Sequence, residues 1–277
     1  MNRHTKSAFQ LCQPECDDVV RSGYFKAAVN RTMRVRQQIA LRGEAKFDHI
    51  QDVVAWPDAA EPRCWRALDD RSVDTQTGLR VVKSHLPADL TPIRDDVKFT
   101  AFTRDPIDCA ASGYHLSARL ALGPMTPPPD VWLDVFASEG AICGPWRRFT
   151  ATWSAERARK DGFFMTFEDM KARPTECIER LAAHLDVDLT TAERARVLEQ
   201  TSFEAMKTMK HKFYPVRQTI WSAKDGQIIR SGRVCLGGDL FSPDAKARFR
   251  QAMAEGLKRA GCERVFYGLN ANIEGET

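Results

Sequence analysis

Strand–helix alternation from Asp18 to Leu185 predicts an α/β fold: one domain whose central parallel β-sheet is flanked by helices on both faces. Two observations carry this reading. Short runs rich in β-branched and aromatic residues are each followed by a stretch with helical spacing. Three of those runs also lead into clusters of basic, hydroxyl and aromatic side chains: Lys83-Ser84-His85-Leu86-Pro87, Arg104-Asp105-Pro106 continuing to Ser112, and Phe167-Glu168-Asp169-Met170. In an open α/β sheet, loops leaving the carboxyl ends of strands meet in one crevice, where ligands bind.

The elements follow in order. Residues 1–16 read as an arm, 17–268 as the domain and 269–277 as a tail. Asp18-Val19-Val20-Arg21 opens the first strand, and Ala27 to Leu41 has helical periodicity ending near Gly43. Residues 55–78, rich in Pro, Asp and Arg, read as an irregular insertion. Leu79 to Val82 and Lys98 to Thr103 are strands, and Asp108 to Leu122 is helical. Four prolines between Gly123 and Asp130 demand a loop. Trp132 to Lys160 reads as mostly helix, with Trp146, Phe149 and Trp153 on one core-facing side. Phe163 to Thr166 is a strand, and Pro174–Leu185 and Thr191–Gln200 are helices. Ser242-Pro243 caps a last helix that stops at Gly261. Residues 208–233 are basic, aromatic and without period, and read as a lid loop.

The chain has 277 residues, 43% of them hydrophobic, enough for a sizeable core. A net charge of +4 is too mild and too dispersed to argue for nucleic acid. No apolar run approaches a membrane span, and Met1 to Gln10 lacks a signal-peptide core, so a cytoplasmic location is expected. The eight cysteines are scattered and read as free thiols; Cys12 and Cys16 have no second pair to complete a metal site, so no metal is expected.

A fourth cluster, Thr201-Ser202-Phe203 leading to Met206-Lys207, completes an inventory that suits an anionic nucleotide and a proton to be removed. Taken together the motifs resemble those of the soluble sulfotransferases that use 3′-phosphoadenylyl sulfate (PAPS). Their Lys-Thr-His-Leu-Pro is matched by Lys83-Ser84-His85-Leu86-Pro87, and their Arg-x-Pro-x-Asp-x-x-x-Ser by Arg104, Pro106, Asp108 and Ser112. Tyr-Glu-Asp-Met-Lys is matched by Phe167 to Lys171, Thr-Ser-Phe-x-x-Met-Lys by Thr201 to Lys207, and a late Arg-Lys-Gly by Arg230-Ser231-Gly232. The resemblance runs from about Asp18 to Phe249 and implies a P-loop-kinase-like sulfotransferase fold.

It also implies roles. His85 is the general base that takes the acceptor's proton, with Lys26 and Lys83 stabilising the sulfuryl oxygens and the departing phosphate. The family's phosphate loop, Tyr-Pro-Lys-Ser-Gly-Thr-Thr-Trp, corresponds to Tyr24-Phe25-Lys26-Ala27-Ala28-Val29-Asn30-Arg31, in which only the tyrosine and lysine survive. Ala27, Ala28, Val29 and Asn30 would present backbone N–H groups to a phosphate at the helix start. Arg31 stands where the family stacks a tryptophan on adenine. A second register sets Arg21-Ser22-Gly23 on the family's Lys-Ser-Gly. Arg104, Ser112, Arg230, Ser231 and Gly232 would hold the 3′-phosphate; Phe167 and Phe203, within Thr201, Ser202 and Met206, would contact adenine.

The acceptor is expected to be a small hydroxyl compound, apolar or aromatic, lined by Trp56, Trp65, Tyr114, Trp132, Phe136, Phe213 and Trp221. The depleted loop also leaves open a nucleotide-binding protein that no longer catalyses. A kinase would want a Gly-Lys-Ser/Thr loop and a magnesium-binding acid, and neither stands at the first strand. A pure interaction module leaves the ordered motifs unexplained. The family's dimer motif is missing around Leu240 to Arg250, and oligomeric state stays open.

Overall fold

The structure, a computed structural model, describes Phe9 and residues 13–59, 70, 75–141, 143–214, 228–234 and 237–262. Four strands, β1 (Asp18–Gly23), β2 (Arg80–Ser84), β3 (Lys98–Thr103) and β4 (Gly162–Thr166), form an all-parallel sheet in the order β2-β1-β3-β4. The chain switches direction of travel across the sheet around β1, with β2 on one side and β3 on the other. Such a switch point opens a crevice at the carboxyl ends of the strands. A bridge from Ala55 to Val82 extends the sheet beyond β2, so the start of the predicted insertion runs along the sheet edge.

The period-2 alternation of β1 sorts its side chains onto two faces. Val19 packs with helices α1 (Val29–Ala40), α6 (Pro174–His184) and α7 (Thr191–Gln200) through Val35, Ile39, Ile178, Leu181 and Val197. Val20 and Tyr24 face α2 (Pro106–Leu116), α3 (Pro129–Ala137), α4 (Trp146–Ala155) and α9 (Pro243–Arg259). On that side Trp146, Phe149 and Trp153 are fully buried, as the helical spacing predicts. Each contributes on the order of 2–3 kcal/mol of hydrophobic stabilisation. Two short helices, α5 (Phe167–Ala172) and α8 (Phe203–Thr208), complete the crevice wall.

One expectation is corrected. The helix expected from Trp132 to Lys160 is broken between Ala137 and Trp146, because Gly144 adopts φ 72° and Pro145 has no N–H to donate. The helix expected from Asp108 to Leu122 forms; it starts at Pro106 and widens past Leu116 into a π-helical turn over Ser117–Ala121. Half of the expected lid (215–227), the C-terminal tail, Trp65 and Trp221 lie outside the described residues. Cys16, Cys109, Cys143, Cys177 and Cys262 are free thiols, and no metal-binding group of His, Cys, Asp or Glu occurs among the described residues. No described helix is long and apolar enough to cross a membrane.

Candidate active site at the strand ends

The turn from β1 into α1 settles which register the backbone adopts. Arg21, Ser22 and Gly23 lie inside β1, paired with Lys83 and Ser84 on one side and with Thr100, Ala101 and Phe102 on the other. They cannot also form a loop, so the second register is excluded. The loop is Tyr24 to Ala28, closed by the Ala27 N–H donating to the Tyr24 carbonyl at 2.9 Å. Lys26 and Ala28 both hold left-handed backbone, at φ 66° and 54°. Non-glycine residues there cost about 1–2 kcal/mol each, and such strain concentrates at ligand sites. The loop therefore keeps its tight course without the family's glycine. No side chain caps α1, which leaves its first-turn N–H groups to an incoming anion.

Lys83 and Ser84 are the last residues of β2, and His85 follows. The turn behind them is pinned from the other face: Ser22 Oγ donates to the Leu86 carbonyl at 2.7 Å, and the Trp153 indole N–H to the same oxygen at 3.0 Å. His85 is half-buried, and its Nδ1 lies 2.7 Å from the Gly23 carbonyl. Its pKa is held well below 6.5, first by burial and then by the charges of Lys83 and Arg21. The Lys83 ammonium sits 3.1 Å from the centre of the Trp56 ring, and that ring meets His85 edge-on at 5.6 Å. Burial pushes Lys83 well down, and Arg21 pushes it further. Asp58, whose Oδ2 accepts the His85 backbone N–H at 2.8 Å, is raised by burial.

Arg104 follows β3 directly and is 5% exposed. Its Nη2 donates to Asp108 Oδ2 at 3.0 Å and to the Arg233 carbonyl at 2.6 Å, while the Trp146 indole donates to the Arg104 carbonyl at 3.0 Å. The guanidinium lies 4.3 Å above the Phe167 ring, and its Nε is buried with no partner among the described residues. Phe167 thus supports Arg104 from below. Ser112, one helical turn past Asp108, is half-buried in α2.

The segment carrying Arg230, Ser231 and Gly232 crosses above this group. Lys171 donates to the Gly232 carbonyl at 2.9 Å, and a Cβ at Gly232 would stand 2.6 Å from the Phe203 ring, so chain and ring are in direct contact. Thr201 and Ser202 spend their hydroxyls on helix ends: Thr201 Oγ1 donates to the Val197 carbonyl at 2.7 Å, and Ser202 Oγ accepts from the Ala205 N–H at 3.2 Å. Arg31 reaches across to donate Nε to the Thr201 carbonyl at 3.1 Å, and Met206 is buried against the Phe213 core.

Lys26 ties the two halves together. Its pKa falls to about 8, through burial and then the positive charges of Arg104 and Arg230, and Lys26 in turn lowers His85. Arg230 is itself lowered by burial, by Arg119 and by Arg104. Cations gathered this closely, with buried donors to spare, form a site complementary to a multiply charged anion. Among the expected acceptor-lining residues, Trp56 and Tyr114 are half-buried. Trp132, Phe136 and Phe213 are 7%, 6% and 1% exposed, and serve the core instead. Trp132 donates its indole N–H to the Ala110 carbonyl, Phe136 packs edge-on against Tyr24, and Phe213 against Phe47.

One residue of this site was not among the sequence-based candidates for chemistry. Asp58 lies in the stretch read as an insertion; the apolar Val53-Val54-Ala55 just before it was the available sign that the chain returns to the sheet. Arg21 was a candidate only in the second register; the structure places it in β1, pointing toward the loop.

Comparison with known proteins agrees with this geometry. The sulfotransferase domain family matches residues 36–261. Human Sulfotransferase 2A1 is 23% identical over 252 residues, covering 90% of this chain and 84% of that protein. Dog Sulfotransferase 1B1 is 25% identical over 197 residues, and that match spans only 66% of the dog protein's length. Among solved structures, retinol dehydratase in complex with androsterone and the inactive cofactor PAP superposes with a TM-score of 0.77 at 20% identity, covering 92% of this chain and 85% of that one. Mouse sulfotransferase SULT7A1 complexed with PAP gives 0.75 at 17% identity, covering 99% and 94%. With four-fifths of its length matched by that domain, and the motifs standing where the sheet converges, the chain belongs to the sulfotransferase domain family.

Proposed function

We propose that this protein transfers a sulfuryl group from PAPS to the hydroxyl of a small-molecule acceptor. What supports this is that the turns bearing Lys26, His85 and Arg104 leave the adjacent strand ends of β1, β2 and β3, with His85 Nδ1 2.7 Å from the Gly23 carbonyl, and that Lys26 is lowered by the charge of Arg104. The residues fit an adenosine bearing phosphates at both ends. Lys26 and the first-turn N–H groups of α1 suit the 5′ end, and Arg104 with Arg230 suits the 3′-phosphate. Phe203, pressed against Gly232, supplies a ring for the base. PAPS, when bound, supplies the activated sulfur and a nucleotide leaving group.

The chain's own part is alignment, charge and one proton. Gly23 holds the Nδ1 proton of His85, which leaves Nε2 free to accept the acceptor's hydroxyl proton. Lys83 and Lys26 oppose negative charge on the transferred group. Burial depresses both ammonium pKa values in the ligand-free protein, and an anion beside them restores their charge. Trp56 flanks both His85 and Lys83, which favours an acceptor with an apolar or aromatic body. A cytoplasmic location suits a PAPS-dependent enzyme with free thiols.

The test pairs two assays on purified protein: transfer of labelled sulfate from PAPS to a panel of phenols and hydroxysteroids, and calorimetry with adenosine 3′,5′-bisphosphate. We expect both to be positive, and His85→Ala to lower transfer about 10²–10⁴-fold while sparing nucleotide affinity. Tight nucleotide binding with no transfer to any acceptor favours the non-catalytic reading. Near-normal turnover by His85→Ala refutes the base.

A further inference from the structure

The geometry points to Arg21 as an additional anion-binding residue of the phosphate turn, engaging the 5′-phosphate end of the nucleotide from beneath the loop. The inference rests on the nucleotide site proposed above. Arg21 is fully buried in the middle of β1, on the face covered by α1. Its Nε donates to Thr32 Oγ1, in the first turn of α1, at 2.8 Å. Both terminal nitrogens, Nη1 and Nη2, are buried with no hydrogen-bond partner among the described residues. Their direction is fixed by Gly23: a Cβ there would lie 2.1 Å from Nη2, so the guanidinium runs along the strand to the point where the loop begins. Thr32 on one side and Gly23 on the other therefore hold the guanidinium inside a strand–loop–helix turn, the kind of turn that cradles a phosphate.

Three further observations agree. The register places Arg21 beside Lys83, so two buried cations share one row of the sheet. The carboxylate that opposes Arg21 electrostatically, Asp58, already accepts the His85 N–H and is itself pushed toward its neutral form. The loop above has lost the serine and threonine hydroxyls of the family pattern and offers, between Lys26 and Asn30, only Ala27, Ala28 and Val29. A guanidinium with two free N–H edges supplies the donors and charge that these side chains cannot. Gly23 is glycine for the same reason: any side chain there occupies the guanidinium's place.

The experiment compares wild type, Arg21→Leu and Arg21→Lys by calorimetry with adenosine 3′,5′-bisphosphate and with adenosine 3′-phosphate, and by melting without ligand. Arg21→Leu should weaken the bisphosphate by at least about tenfold, as expected for loss of a charge-assisted contact, and leave the 3′-monophosphate unchanged. The ligand-free melting temperature should hold or rise, because a buried, unpaired charge has been removed. Arg21→Lys should fall between the two, and it carries the comparison if the leucine variant does not fold. Wild-type affinity of Arg21→Leu for the bisphosphate overturns the proposal, as does equal weakening of both ligands with a lower melting temperature. Failure of the wild type to bind either nucleotide instead removes the underlying site.

Discussion

The Nδ1 of His85 lies 2.7 Å from the carbonyl oxygen of Gly23, the residue that ends β1. A carbonyl only accepts, so the proton resides on Nδ1 and the lone pair on Nε2. One strand thus sets the tautomer of the histidine carried by its neighbour. The same strand end opens the loop Tyr24 to Ala28, which fixes the proposed base relative to the proposed nucleotide site.

Because burial, Lys83 and Arg21 hold the His85 pKa well below 6.5, the base stays neutral through the pH at which an ordinary histidine gains charge. The acid limb of kcat/KM is therefore expected below that value, with little loss on crossing it. Stability follows the same sign. The unfolded histidine binds its proton first, so His85's contribution is complete above 6.5 and declines as pH falls toward the folded pKa. A pH–rate profile with an inflection at 6.5 would place His85 in a different environment.

Lys26 should make nucleotide affinity pH-dependent from the alkaline side. Its pKa near 8 in the free protein means that the charge is fading as pH rises through that value, and a bound phosphate must restore it by proton uptake. Affinity for adenosine 3′,5′-bisphosphate should fall between about pH 7 and about pH 9, and binding heats should depend on buffer ionisation. Lys26→Arg, which keeps its charge, should flatten that dependence. Calorimetry in two buffers at each pH checks both.

Ala28 adopts φ 54° where glycine has no steric cost. Ala28→Gly should raise stability by roughly 0.5–1 kcal/mol, the left-handed penalty less the extra entropy of an unfolded glycine. A β-branched residue there should do the opposite. Urea midpoints of the three proteins, at constant m-value, decide it.

At the far end of β1, Asp18 and Arg80 form a paired contact at 2.6 and 2.9 Å, with side chains 0% and 1% exposed. This pair locks β1 to β2 and so sets the register that brings Arg21 beside Lys83. Asp18→Ala breaks this buried pair and should cost about 3–5 kcal/mol in a denaturation experiment. A loss under about 1 kcal/mol, the range of exposed pairs, would contradict the burial.

Much of the fold was legible along the chain. Every strand predicted from its apolar run forms, and helices start at Pro174, Thr191 and Pro243 as expected. The motif residues were also readable, because strand ends in such a sheet must face one crevice. The break between Ala137 and Trp146 was missed because the flanking aromatics keep a helical beat across it. Trp132, Phe136 and Phe213 were misplaced for a related reason: an aromatic that packs and one that lines a pocket read alike in one dimension.

The order of elements and the parallel sheet followed from periodicity, and the proposed base and phosphate-binding cations from motif, because those signals are local. Tertiary structure decided which face each charge took. The single-residue register of β1 against β2 sends Arg21 toward α1 beside Lys83, and the glycine two residues on leaves room for its guanidinium. Neither depends on local sequence. Both arise where a strand, its neighbour and the covering helix exclude water together, and exclusion of water is what turns a strand arginine into a buried, unpaired cation beneath the phosphate loop.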